Sequence, residues 1–181
     1  MTPRCYLDFH PLSRDGVTVP VIMSGVLSIL HGCFRRHPGE LAIALPCYDH
    51  TEQPLNTLRV FSETTDKLEW LVDHVSKHPK IRDYTRIINI KHVPEDWDGE
   101  WVEFRRFRVP TRKAGVERLR AKRQAMAKDL PYFNLHSQSS GCVFNLFIEK
   151  IKIPKDQLTS GGTPDSYGLS RLSNRVILPE I

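Results

Sequence analysis

The sequence predicts an α+β fold: a βαββαβ domain over residues 1–96, then a smaller domain over 97–181 built around an arginine-rich helix. Three observations lead there. Apolar residues alternate between strand and helix spacing in that order through the first half. The segment VPEDWDGE, 93–100, combines a proline, a glycine and a run of acids, as a linker does. Charge changes sign across it: residues 1–98 carry 11 Lys+Arg against 13 Asp+Glu, and residues 99–181 carry 15 against 8, giving the chain its net +5.

Taken in order, RCYLDFHPL (4–12) reads as a strand ended by proline. Residues 20–34 read as a helix with Pro20 in its first turn and Gly32 near its end. Its apolar stripe runs through Ile22, Val26, Ile29, Leu30 and Cys33. LAIALPCY (41–48) and TLRVFSE (57–63) are strands. Residues 64–77 form a helix capped by Thr or Asp66, with Leu68, Leu71, Val72 and Val75 facing inward. DYTRIINIKHV (83–93) completes the set as a strand. This order is ferredoxin-like, an arrangement that hosts many functions and is not itself a functional argument. WVEFRRFRV (101–109) is a basic, aromatic strand, and 112–128 is a helix with Val116, Leu119, Met126 and Leu130 as a thin apolar seam. YFNLHSQ (132–138) and CVFNLFIEKIKI (142–153) are strands, joined through Ser139-Ser140-Gly141. A polar mobile loop over 154–166 follows, then SYGLS (166–170) and a final VIL as extended pieces.

Composition bounds the function. With 40% hydrophobic and 26% charged residues, the chain is neither disordered, collagenous nor coiled coil. No apolar run approaches the roughly 18 residues of a membrane span, and MTPRCYLDFH lacks the long apolar stretch of a signal peptide. Cys5, Cys33, Cys47 and Cys142 form no C-x-x-C pair and sit in apolar segments, so buried free thiols in a reducing cytoplasm are expected. The eight histidines are scattered without metal-site spacing; neither metal nor cofactor is expected.

The basic excess is concentrated. Between Arg105 and Lys128 lie Arg105, Arg106, Arg108, Arg112, Lys113, Arg118, Arg120, Lys122, Arg123 and Lys128, against Glu117 alone. A solvated surface interleaves both signs, whereas this stretch makes a local positive field that draws polyanions, nucleic acid first among them. A helix of this kind laid along a double-stranded stem neutralises phosphates and binds salt-sensitively. Arg106 and Arg108, at alternate positions, share one strand face. Their forks suit guanine O6 and N7, or else add phosphate contacts. Phe104 and Phe107 belong to the core, pointing away from that face. Phe144 has two readings, a buried strand residue or a platform for a terminal base.

His31 lies nine residues from Ile22, half a revolution away at about 100° per residue. It is therefore opposite the apolar stripe, in line with Ser24, Ser28 and Arg35, and not a core histidine. A surface histidine can serve as general base or acid, although most so placed have no such role.

Five segments, MSGVLSILHGCF, WVEFRRFRV, ERLRAKRQ, NLHSQSSGCVFNLFI and SYGLS, resemble in order the CRISPR repeat-processing endoribonucleases of type I-F systems. The resemblance covers nearly the whole chain and is strongest in SQSSG followed by FNLFI, and in YGLS. It implies a metal-independent enzyme that binds the CRISPR repeat stem-loop and cleaves the precursor transcript at the hairpin base. Such an enzyme stays on the 3′ hairpin, as a monomer within the surveillance complex beside the backbone subunits, away from any membrane. It also implies roles: His31 as general base, Ser137 holding the reactive ribose, Ser139 near the cleavage site, Phe144 stacking on the closing pair, Tyr167 supporting the histidine and Arg106 reading a guanine. Arg108 stands where the family commonly has glutamine, and the helix, with Ala121 and Lys122, is less arginine-dense than in the best-known members. A second reading is a hairpin-binding structural subunit of a variant or transposon-associated complex, differing only at His31, Ser137 and Tyr167.

Overall fold

The first-half elements are β1 (Cys5–Pro11), α1 (Val19–Arg36), β2 (Leu41–Ala44), β3 (Leu58–Ser62), α2 (Thr65–Val75), α3 (Pro79–Tyr84), β4 (Thr85–Ile87) and β5 (Lys91–His92). The second half holds β6 (Trp101–Phe107), α4 (Glu117–Ala127), β7 (Tyr132–His136), β8 (Val143–Ile153), a single 3₁₀ turn at Lys155–Gln157, and β9 (Leu178–Pro179). The structure, a computed structural model, describes residues 1–110, 116–137, 141–159 and 161–181. Arg112, Lys113 and Ser139, expected to meet RNA, lie outside the described residues.

The architecture is α+β with two antiparallel sheets, ordered β2-β3-β1-β4 (with β5 also on β1) and β7-β8-β6-β9. The first sheet is pinned through its register. Asp8 and Arg59 are cross-strand partners on β1 and β3, and the guanidinium meets the carboxylate at 2.6 and 2.8 Å, both side chains nearly buried. Arg59 also donates to the Ile181 carbonyl and lies over the Tyr6 ring, 4.2 Å from its centroid. An ion pair so enclosed survives because its hydrogen-bonding capacity is used up.

The strand expected over 83–93 is broken. Pro79 fits the first turn of a helix, and His78 caps it by accepting from the Lys80 N–H at 3.2 Å, so α3 forms there. The chain then pairs with β1 twice: Phe9 opposes Ile87 in β4, and Tyr6 opposes Lys91 in β5.

Helix α1 runs past Gly32 to Arg36, where an added Cβ at Gly32 would meet nothing. Its buried residues Ile22, Met23, Val26, Leu27, Leu30, Cys33 and Phe34 follow helical spacing. Each fully buried Leu, Ile or Phe contributes about 1.5–3 kcal/mol. Ser24, which the periodicity turns to solvent, is 8% exposed, because its Oγ accepts the Asn134 N–H of β7 at 3.0 Å. The helix thus packs on both sheets. Phe133, Leu135, Leu146 and Ile148 of the second sheet join Leu7, Leu27 and Phe61 in one contiguous core.

Two further expectations are corrected. The apolar seam of α4 is not buried: Leu119 is 52% and Met126 49% exposed, and only Ala127 is enclosed. The helix rests on the sheet through Arg123, whose guanidinium sits 4.3 Å from the centre of the Phe107 ring. Among the thiols, Cys5 and Cys33 are buried but Cys47 is half-buried and Cys142 exposed. Burial pushes the Cys5 thiol up to about 11. No described helix is long and apolar enough to cross a membrane.

Candidate functional site

His31 and Tyr167 are brought together from 136 positions apart in the chain, their rings stacked at 4.1 Å between centroids and 9° between planes. The histidine is half-buried rather than a free surface group, because the turn containing Tyr167 lies against it. Its Nδ1 is 2.6 Å from the carbonyl oxygen of Ser166. A carbonyl only accepts, so Nδ1 carries the hydrogen and, in the neutral ring, the lone pair is on Nε2.

The 166–170 segment, expected as an extended piece, is instead a turn at Ser166–Gly168 followed by a bridge to β6. One oxygen of Asp165 accepts from the N–H groups of Tyr167 (2.8 Å) and Leu169 (3.0 Å). The Asp165 N–H donates to the Leu169 carbonyl at 2.8 Å, and the Gly168 N–H returns to the Asp165 carbonyl at 2.9 Å. Gly168 holds φ at +77° and presents its carbonyl to the Ile43 N–H of β2, 2.9 Å away. The turn is therefore fixed both internally and to the first sheet.

Register places Arg106 opposite Ile148 and Leu135 opposite Phe144, so all four side chains share the inner face of the second sheet. Phe104, two residues before Arg106, shares it too, while Phe107 points to the other face, under α4. The expectation that both phenylalanines point away from Arg106 is thus wrong for Phe104: strand alternation puts it with the arginine, deeper in the core. Arg106 reaches along β8 until its guanidinium is 5.5 Å from the Phe144 ring centre. Burial lowers its pKa, as does the charge of Arg108, while Tyr167 and Asp165 oppose them. Tyr167 is raised chiefly by burial, so its hydroxyl stays protonated at neutral pH.

Around the end of β6 an open groove of about 740 Å³ is walled by Arg106, Arg108, Arg123, Asp165, Tyr167 and Arg171. With Arg105 and Glu149 also in its lining, five arginines from three parts of the chain face two carboxylates. Arg118 and Lys122 are exposed on α4, and Arg120 is half-buried. Arg105 also lines this groove, and its guanidinium pairs with Glu103, a fully buried carboxylate that also accepts from Ser170 Oγ at 3.0 Å and Arg175 Nε at 3.3 Å. That cluster clamps the C-terminal segment onto β6.

Ser137 follows β7 directly. Its N–H donates to the Cys142 carbonyl and its own carbonyl accepts from the Gly141 N–H, each at 2.9 Å. It stands two residues beyond Leu135, the cross-strand partner of Phe144. His31, Tyr167, Arg106 and Phe144 thus form a connected series, with the Ser137 turn next along the sheet.

A protein-family model described as CRISPR-associated protein (Cas_Csy4) matches residues 6–179 of the 181. The chain belongs to this family. Comparison with curated proteins returned no match. Cas_Csy4 proteins are CRISPR repeat-processing endoribonucleases, so nuclease activity and RNA binding in CRISPR RNA processing are this chain's general function. For a Cas_Csy4 protein, sequence reasoning found His31, Arg106, Phe144 and Tyr167 through their motifs, but not Asp165, the Ser166 carbonyl or Arg171. The D-S-Y-G pattern of an Asp-initiated turn ending in glycine was the available signal for the first two. Arg171 had none, because only the folded turn brings it to the groove.

Proposed function

We propose that the chain is a metal-independent endoribonuclease that binds the CRISPR repeat stem-loop and cleaves the precursor transcript at the hairpin base. It then stays on the 3′ hairpin as a subunit of the type I-F surveillance complex. Residues 1–96 supply the histidine, and residues 97–181 grip the RNA. The observation that favours catalysis over binding alone is the Nδ1–H bond from His31 to the Ser166 carbonyl. It leaves a basic Nε2 on a ring supported by Tyr167, beside a cationic groove.

RNA carries its own nucleophile, the 2′-hydroxyl, so the chemistry needs only proton removal and alignment. His31 Nε2 takes the 2′-OH proton, an effect worth about 10²–10⁴-fold. The ribose oxygen then attacks the adjacent phosphorus, and the 5′-oxygen departs and takes up a proton from water, giving a 2′,3′-cyclic phosphate and a 5′-hydroxyl. Ser137 holds the ribose by a hydrogen bond that restricts its rotation. Arg106 reads a guanine of the stem, and Phe144 stacks on the closing pair. Arg108, Arg118, Arg120, Lys122 and Arg123 bind phosphates.

Incubating a repeat hairpin with the protein in EDTA tests this. Cleavage is expected with the native chain and is lost in His31→Ala, while a 2′-deoxy substitution at the scissile nucleotide leaves RNA bound and uncut. Full cutting by His31→Ala refutes the assigned base. Tight binding without cutting by the native chain favours the structural-subunit reading instead.

A further inference from the structure

The stacking of His31 on Tyr167 does not by itself choose between the two ring orientations related by a half-turn about Cβ–Cγ; the bond to Ser166 O does. That carbonyl is held by the turn that Asp165 closes. Asp165 uses its N–H, its carbonyl and one carboxylate oxygen on this turn: the N–H to Leu169 O at 2.8 Å, the carbonyl from Gly168 N at 2.9 Å, and Oδ1 from Tyr167 N and Leu169 N at 2.8 and 3.0 Å. One of the two side-chain bonds is to the amide of Tyr167, the residue that stacks on His31. Without them, the Tyr167 and Leu169 amides lose their acceptor, and the turn keeps only its backbone bonds and the bond that Gly168 accepts from β2, none of which involves Ser166 or Tyr167.

We propose that Asp165 is a positioning residue that keeps the His31 ring in the Nδ1–H form, so that Nε2 is the nitrogen presented to the 2′-hydroxyl. The claim rests on His31 being the base of the cleavage proposed above. The wrong hydrogen on a catalytic imidazole leaves geometry intact and removes the base, a loss that reaches orders of magnitude in other enzymes. Asp165 also contributes negative charge beside Arg106 in the same groove. Geometry and charge are separable: asparagine keeps an Oδ1 acceptor and drops the charge.

Long-range proton–nitrogen NMR of the full chain, labelled at histidine nitrogens and free of RNA, reads the ring hydrogen directly. The native protein is expected to show His31 with hydrogen on Nδ1 in the neutral ring. Asp165→Asn is expected to keep that pattern, and Asp165→Ala to shift it toward the Nε2–H form that free histidine prefers. Single-turnover cleavage should fall at least about tenfold in Asp165→Ala at unchanged hairpin affinity, and return to within about threefold in Asp165→Asn. An Nε2–H pattern in the native protein overturns the proposal, as does an unchanged pattern in Asp165→Ala. Should Asp165→Ala fail to fold, Asp165→Ser shortens the acceptor and is expected to shift the pattern in the same direction, and an unchanged pattern there likewise overturns the proposal. The spectrum needs no RNA, so it can fail while cleavage stands, and absent cleavage with the expected spectrum falls on the functional reading.

Discussion

A methyl group at Gly168 would lie 3.0 Å from both Ile43 Cγ2 and Phe34 Cε2 and 3.1 Å from the Ile43 amide nitrogen, on a backbone at φ +77°. Neither the conformation nor the space suits any other residue. Gly168→Ala is expected to cost about 1–3 kcal/mol in denaturant unfolding. Because Ser166 and Tyr167 immediately precede it, cleavage should fall by more than the loss of folded protein explains. Equal stability and equal activity in the variant would show that the turn does not need glycine. The candidate site's polar side chains could be proposed from the sequence because the motifs that carry the family resemblance are short and local. Asp165 and Gly168 act through backbone groups and a neighbouring strand, which no periodicity reports.

At the scale of elements, α4 is the least anchored helix. Its eleven residues bury only Ala127, and Arg123 stacks on Phe107 while its exposed cations face outward. A short helix with so little apolar contact gains stability from what it binds. Arg120→Ala should weaken every stem alike and reduce the slope of log affinity against log salt by about one. An unchanged slope in a salt titration would remove Arg120 from the phosphate contacts. Sequence expected a helix over 112–128, of which the described residues hold Glu117–Ala127, but assigned its packing to a seam of Val116, Leu119, Met126 and Leu130. The misassignment follows from reading every apolar residue on a helix as a seam, when the sheet beneath offers an aromatic ring to a guanidinium. The strand over 83–93 failed for a different reason: Pro79 and the His78 cap stabilise a helix locally, and β1 could be paired by two short pieces as well as by one long one.

Over the whole molecule, Lys150 is the polar counterpart of the shared core. From β8 its ammonium, with a side chain only 4% exposed, reaches Asp49 beyond β2 at 2.5 Å and Glu180 near the C-terminus. The Tyr48 hydroxyl donates to the Ile148 carbonyl at 3.2 Å alongside it. Burial pulls the Lys150 pKa down, but the bonds to Asp49 and Glu180 outweigh it and leave the group above its usual 10.5. A folded value above the unfolded one means the stabilisation is complete below pH 10.5 and is lost as pH rises through the folded value. Lys150→Met should cost about 1–3 kcal/mol at neutral pH. The melting-temperature gap between native and variant should narrow as pH rises beyond 10.5; a gap that stays constant up to alkaline unfolding would remove the ion pairs from the account.

Local pattern alone determined the α+β class, most elements and the concentration of arginine, while the histidine, serine, phenylalanine and tyrosine of the candidate site were marked only by the resemblance of their motifs to a known family. Propensity, apolar spacing and charge are properties of neighbours in the chain, so they can be read there. Only the tertiary structure decided that the polar flank of α1 is covered by β7, that Arg105 pairs with a Glu103 enclosed by Ser170 and Arg175, and which nitrogen of His31 carries the lone pair. Each depends on groups far along the chain, and a hydrogen bond or a buried charge is settled by the partner that arrives, not by the residue that waits for it.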